Sequence, residues 1–409
     1  MRIVYNLSMS KIIRKSLFPV LLICLAALVI LAGCKSTSGQ KTTDVVYQIE
    51  EGGITFFGNL QLNITTPEFF EKTGFEYGDA VRVRFLDKDM VLPIVSTFSE
   101  LDIGQTGLTA QYSDPGAPAE KIELFINLND FAETYGIAEI VVYDDGTWES
   151  KPFDGIVFPI DVTLSMAKKG AFPEFAGPPL AISNERSAYE DLDDYGFANI
   201  RMVTTPGFGN CFFRGSSPID NKFNRNKFAD GLLDDTGAEI AINLADTHKS
   251  AADFEGYYDS YYYSNLDVLY IGLGVDYTDD TFNQGVYKAC KYIADHRAVY
   301  YVHCQLGKDR TGVFCAILES LMGASVHDVI EDYMKTYLNY YDLEKDSPKY
   351  NKIAESNICV AMGKILALDC DFMVLSAERL HDETVKYLKS IGLTDKDIAN
   401  LKANLARVR

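Results

Sequence analysis

Residues 298–312 read AVYYVHCQLGKDRTG, an apolar run meeting a cysteine, a glycine-centred turn and an arginine. The run has the length and composition of a buried strand, and RTGVFCAILESLMG (310–323) reads as a helix, with Gly312 near its start and Gly323 after its end. The turn between them must be sharp, and Gly307 supplies backbone freedom at its middle. A loop wrapped around a helix N-terminus aims several N–H groups at one spot, aided by the positive end of the dipole, so the segment is an anion site before any side chain is counted.

The side chains extend that reading. A helix N-terminus beside a fixed cation favours the thiolate, the nucleophilic form of a cysteine, and Cys304 has Arg310 six residues on. A guanidinium is planar and permanently charged, so Arg310 is expected to grip two phosphoryl oxygens at once. The expected cradle has sulfur at its floor, the amides of Gln305, Leu306, Gly307, Lys308, Asp309 and Arg310 around its rim, and His303 and Thr311 in support, Thr311 donating its hydroxyl to the sulfur. The alternative is a buried thiol at a strand end with an unrelated surface arginine.

HCQLGKDRTG resembles the signature loop of the cysteine-dependent protein-tyrosine and dual-specificity phosphatases, and its GKDRTG form is most similar to the bacterial tyrosine-phosphatase-like branch, some of whose members also act on phosphoserine and phosphoinositides. FFRGSSPI (212–219) is similar to the segment that opens that domain, IAINLAD (240–246) to its following strand, VIEDYMKTY (329–337) to the helix after the loop, and YLKSIGLTDKDIANLKANL (387–405) to its closing helices. The resemblance implies Cys304 as nucleophile, Arg310 as phosphate binder and a cysteinyl-phosphate intermediate. It also implies a general acid, which must be a carboxyl within reach of the leaving oxygen. Asp276, in GLGVDYTDD (272–280) and 28 residues before Cys304, stands slightly ahead of Asp309 for that role, with Asp279 and Asp280 behind it. Lys308 would add a second cation, a feature that in the family goes with polyanionic substrates.

Three readings of function follow. The first is a protein-tyrosine or dual-specificity phosphatase; the second is a phosphoinositide or inositol-polyphosphate phosphatase resembling the cysteine phytases; the third is a phosphate-binding module without turnover. Lys249, Arg297 and Lys308 are candidate basic linings of a polyphosphate pocket, and the tyrosine cluster YYDSYYYSN (257–265) is either a packed loop or a wall for an aromatic ester.

The rest of the 409 residues divides by character. KIIRK followed by SLFPVLLICLAALVI and LAGC (31–34) is expected to be a lipoprotein signal over residues 1–33, cut before a lipidated Cys34, with 34–43 as a polar tether. Residues 44–177 show short alternating runs such as GITFFGNLQLNI, DAVRVRFL and KIELFINL between Gly, Asp and Pro turns, the pattern of a smaller β-rich barrel or sandwich. FGNLQLNI with GDAVRVRFL resembles, at the level of fold, the barrel domain of adenosylmethionine-hydrolysing fluorinase-like enzymes. The expected role of this part is accessory, as a spacer from the membrane or a partner-binding module. AFPEFAGPPLAISN (171–184) is a linker, and 178–409 is expected to be an α/β domain, a central sheet flanked by helices with a helical C-terminal part.

Charge and cysteines bound the partners. Removing the signal's basic residues (Arg2, Lys11, Arg14, Lys15) takes the formal charge from −20 to −24. Such a surface argues against nucleic acid as a partner and leaves the lipid at Cys34 as the only membrane contact. The expected partner is a phosphorylated protein or an inositol phosphate, in an extracytoplasmic setting on a bacterial membrane. Of eight cysteines, the six beyond Cys34 have irregular spacing and no disulfide framework, and no Cys/His cluster has zinc spacing, so neither a metal nor another cofactor is expected.

Overall fold

The computed structural model describes residues 44–111, 119–143, 147–274, 276–277 and 279–409. The chain divides into Met1–Thr43 and a compact unit, Asp44–Arg409. The expected signal, tether and Cys34 lie outside the described residues. Within the second unit are two sheet systems.

The first has β1 (Val45–Ile49), β2 (Leu60–Thr65), β3 (Ala80–Phe85), β4 (Lys88–Val95), β5 (Thr106–Thr109), β6 (Lys121–Ile126) and, after a hairpin of β7 (Ala138–Val142) and β8 (Trp148–Pro152), β9 (Ile160–Lys168). The order β1-β9-β3-β4-β5-β6-β2 brings the two edge strands near each other and nearly closes a barrel. Alternation drives it: Val81, Val83 and Phe85 of β3 point into the core, whereas Arg82 and Arg84 face outward onto Asp89 and Asp44. GITFFGNLQLNI is not one strand. The chain turns at Thr55–Gly58, Gly58 taking φ +73°, before β2 begins. At its far end β4 is buried on both faces, because Val95 joins Leu101, Phe125 and Phe175 in a small separate core.

The second system is α/β. Strands β10 (Arg201–Met202), β11 (Phe212–Gly215), β12 (Ile240–Asn243), β13 (Asp267–Tyr270) and β14 (Tyr300–His303) lie in the order β10-β11-β14-β12-β13, parallel except for β10. Helix α1 (Asn226–Thr236) connects β11 to β12, and α2 (Asp280–Asp295) connects β13 to β14. The central strand β14 is buried throughout, with an apolar core on each face of the sheet, as a covered parallel strand requires. Beyond it α3 (Asp309–Met322) ends on Gly323 in the left-handed conformation; α4 (Val326–Tyr340) and α6 (Asp395–Leu405) open with the capping boxes Ser325/Asp328 and Thr394/Asp397. Helix α5 (Ala377–Ser390) packs on α3, and α6 on α2. The run ANIRMVTT supplies only a two-residue strand, because Asn199 adopts φ +55° and turns its side chain to other work.

The two systems meet at a polar seam. The turn Phe98–Glu100 of the barrel side lies against Pro348–Ala354 and the π-helical turn Glu355–Cys359. Asn357 donates to the Ser99 carbonyl at 2.6 Å, and Lys349 pairs with the buried Glu100 carboxylate at 2.7 Å. Lys352 pairs with Asp102 at 2.9 Å. A π-turn of this kind re-aims side chains within a helix and is frequent at functional sites.

Candidate active site

Register places the site. Gly215, His303 and Asn243 stand side by side at the C-terminal ends of β11, β14 and β12. The segments that follow those ends crowd together at the carboxyl edge of the sheet, where α/β folds bind ligands.

The loop Cys304–Lys308 is held from outside by its own carbonyls. Gln305 O accepts from Ser217 N at 2.9 Å. Leu306 O accepts from the Tyr340 hydroxyl at 2.8 Å and Asn199 Nδ2 at 3.2 Å, and Gly307 O from Arg214 Nη2 at 2.9 Å. With these acceptors engaged outward, the opposite edge of the loop is left to its N–H groups, continuous with the free N–H groups of the first turn of α3. Gly307 has φ +66°, and a Cβ there would stand 2.3 Å from Gly215 O, so no other residue fits.

Beneath the loop lies a buried ion network. Arg214, fully buried, bonds Asp332, which also receives Arg201 Nε at 2.9 Å. Burial opposes the Asp332 charge, but the guanidinium groups of Arg201 and Arg214 hold its carboxyl well below the ordinary range. Glu319 beside them is pushed up by burial and by the Asp332 carboxylate. The network fixes the Arg214 fork and therefore Gly307.

His303 sits behind the cysteine. Its Nδ1 lies 3.2 Å from Cys304 O, which can only accept, so Nδ1 carries the proton and Nε2 accepts from the Tyr262 hydroxyl at 2.9 Å. Burial, with the Arg310 charge nearby, pushes the His303 pKa down to about 3. Tyr262 is thus a core partner of His303, and the tyrosine cluster does not line the cleft described next.

A cleft of about 490 Å³ opens over the loop. Cys304, Gln305, Leu306, Lys308, Asp309, Arg310 and Asp276 all line it. Cys304 is 3% exposed at its floor. Arg310 Nη1 lies 3.4 Å from the carbonyls of Ala245 and Leu273, which follow β12 and β13. Gln305 donates to Asp220 at 2.7 Å. The Lys308 ammonium reaches Ser99 Oγ at 3.3 Å and Tyr341 Oη at 3.5 Å and lies over the Tyr337 ring. Burial opposes its charge, but Asp309, at 3.7 Å, helps keep its pKa well above the usual value. Thr311 Oγ1 is buried without a hydrogen-bond partner. Asp279 caps α2 through Thr281 N, and of the aspartates of its loop only Asp276 reaches the cleft wall. Lys249 and Arg297 are not among the lining residues. A larger groove, about 1110 Å³, runs past Glu190 and Asp342 elsewhere on the surface and holds no nucleophilic cysteine.

Sequence reasoning missed two sets of residues. Asn199, Arg214 and Tyr340 hold the loop, and an arginine inside an apolar strand, FFRG, was a signal for one of them. The opposite wall comes from the barrel side, with Phe56, Phe57, Leu128, Asn129 and Asp130. The part expected to be accessory therefore contributes residues to the cleft. The Phe56–Phe57 pair in a glycine-flanked turn was its one visible sign. The other described cysteines are free thiols, and burial pushes Cys315 and Cys359 up to about 12.

Residues 240–407 match the tyrosine phosphatase family. That match supports a phosphatase. No curated protein matches the chain. Among solved structures, an uncharacterized conserved protein from Thermotoga maritima is 19% identical at TM-score 0.21, over 30% of this chain and 36% of its own length. The core catalytic domain of the PP-IP phosphatase SIW14 from S. cerevisiae, in complex with citrate, is 14% identical at TM-score 0.26, over 39% of this chain and 85% of its own. TpbA from P. aeruginosa, in complex with pTyr, is 13% identical at TM-score 0.29, over 49% and 99%.

Proposed function

We propose that the protein is a phosphomonoester hydrolase that works through a cysteinyl-phosphate and acts on phosphotyrosine, or on mixed phosphorylated residues, in proteins. One observation carries the reading: Cys304 and Arg310 line one cleft at the rim of a loop whose carbonyls are bonded away from it. The loop amides and Arg310 hold the three non-bridging oxygens of the phosphoryl group. Cys304 Sγ forms the S–P bond as the P–O bond to the leaving group breaks, and Asp276 gives its proton to the departing oxygen. Asp276, now a carboxylate, takes a proton from water as that water attacks phosphorus; the S–P bond breaks, and phosphate leaves. The buried Thr311 hydroxyl, unpartnered, is suited to stabilise the sulfur as it leaves. Asp309 is the rival acid from the other rim, already in contact with the Lys308 ammonium.

The inositol-polyphosphate reading needs surplus positive charge. The cleft lining holds Lys308 and Arg310 against Asp130, Asp276 and Asp309, and the Lys308 ammonium is engaged at the seam. This composition favours a substrate with one phosphoryl group. A panel of phosphotyrosyl and phosphoseryl peptides, a phosphoinositide and inositol hexakisphosphate, offered to the protein and to Cys304→Ser, tests it. Peptide turnover lost in the variant is expected; preference for the hexakisphosphate would move the assignment to a phytase-like enzyme, and no turnover by either protein to a phosphate-binding module.

The LAGC motif supports a further proposal, that the mature protein starts at an acylated Cys34 and acts outside the cytoplasm on a lipid anchor. Loss of fatty-acid labelling in Cys34→Ala is expected; equal labelling of both forms would remove the anchor.

A further inference from the structure

We infer that the barrel-side turn Thr55–Gly58 is the leaving-group wall of the cleft, with Phe56 and Phe57 receiving the aromatic ring of a phosphotyrosyl peptide. The inference rests on the phosphatase reading and says which part of the molecule selects the substrate.

The turn is built, not loose. Gly58 N donates to Thr55 O at 2.9 Å, and Thr55 N to Asn59 O at 2.9 Å. Ala132 N donates to Gly58 O at 2.9 Å, and a Cβ at Gly58 would stand 2.1 Å from Asp130 Oδ1, so the turn is seated on the Asp130 segment. On this base two adjacent phenylalanines face water, Phe56 45% and Phe57 60% exposed. Their rings meet edge-on at 5.3 Å, and Trp148 of β8 stands edge-on behind Phe56 at 5.6 Å. An ordered aromatic cluster left in solvent marks a binding surface.

Its position defines the occupant. Phe56 and Phe57 line the same cleft as Cys304 and Arg310, so a phosphoryl group held at the loop directs its ester substituent into a space bounded by these rings and Leu128. An apolar wall facing a single anion cradle suits a phosphorylated arene, which meets the rings edge-on. A polyhydroxylated, polyanionic ring would leave its hydroxyls and charges against phenyl groups and against Asp130. The seam bonds of Ser99 to Lys308 and Asn357 keep the wall in register with the loop.

The test is steady-state kinetics of the full chain and of Phe56→Ala/Phe57→Ala on peptides of one sequence carrying phosphotyrosine or phosphoserine, with orthovanadate as a probe of the loop. The KM for the phosphotyrosyl peptide is expected to rise about tenfold, the preference over phosphoserine to fall, and vanadate inhibition to stay unchanged. Val91→Ala, an exposed apolar site on β4, serves as the control. An unchanged KM in the double variant overturns the inference. If the full chain releases no phosphate from either peptide, the phosphatase reading fails separately, and calorimetric binding of the phosphotyrosyl peptide to Cys304→Ser, with and without the phenylalanine substitutions, still decides this one: equal binding or no binding overturns it.

Discussion

Lys308, the last residue of the loop between β14 and α3, hydrogen-bonds through its ammonium to Ser99 Oγ, which belongs to the turn after strand β4 of the barrel. A side chain that sequence reading assigns to the substrate is shared with a second sheet system 209 residues away. Loop geometry and barrel position are thereby one mechanical problem, and the seam around them is open to measurement.

The Lys349–Glu100 pair is the seam's most deeply buried carboxylate contact. Glu100 is 1% exposed and also accepts from Ser96 N and Ser96 Oγ. Lys349→Ala leaves that buried carboxylate without its counterion, and a loss of about 2 kcal/mol in denaturant unfolding is expected, softened by the remaining hydrogen bonds. A change under 0.5 kcal/mol would show that the seam contributes little.

Arg214 holds the loop from behind and is not among the residues that line the cleft. Replacing it by Met removes the shorter donor to Gly307 O and leaves the buried Asp332 with Arg201 as its remaining guanidinium partner, so a destabilisation of about 3 kcal/mol is expected. At a temperature where the variant remains folded, kcat/KM should fall by about 10²-fold or more as the cradle loses its shape. Full activity in a folded Arg214→Met protein would contradict the positioning role.

The two candidate acids separate by leaving group. Asp276→Asn is expected to lower kcat on a phosphotyrosyl peptide by about 10²–10⁴-fold, and far less on an aryl phosphate whose leaving oxygen needs no proton. The same pattern in Asp309→Asn, with Asp276→Asn near normal, would transfer the role to the loop aspartate.

His303 sets a pH dependence of stability. Its folded pKa is pushed down to about 3 by burial, so between the ordinary value of about 6.5 and that value the unfolded chain binds a proton that the native protein refuses. Stability is present above this window and falls as pH drops through it, by up to about 5 kcal/mol over the whole range. Urea unfolding at pH 7.5 and pH 5 should show the loss, and His303→Gln should flatten it. A parallel slope in that variant would place the proton elsewhere.

The strand–turn–helix geometry around Cys304 was legible because strand, turn, glycine and helix start fall within fifteen residues, and local spacing dictates it. Helix ends were legible for the same reason: Ser325 and Thr394 carry their caps three residues ahead of the partner aspartates. What escaped is non-local. Nothing in NLND (127–130) or TFSE (97–100) announces that these turns close over a loop nearly two hundred residues on, and nothing in GITFFGNLQLNI shows that its middle is a turn facing a cysteine. The order of parallel strands is likewise set by packing across long separations. Asn199 and Arg214 look like ordinary polar residues until the fold brings the carbonyls of 306 and 307 to them.

The central claim is the covalent intermediate at Cys304. The most direct measurement is acid quench of the protein during turnover of a phosphotyrosyl peptide labelled with ³²P, followed by mapping of the labelled residue. The account predicts acid-stable label on Cys304, formed and lost at the rate of phosphate release, and none in Cys304→Ser. Turnover with no label at Cys304, or with label on another side chain, would contradict it.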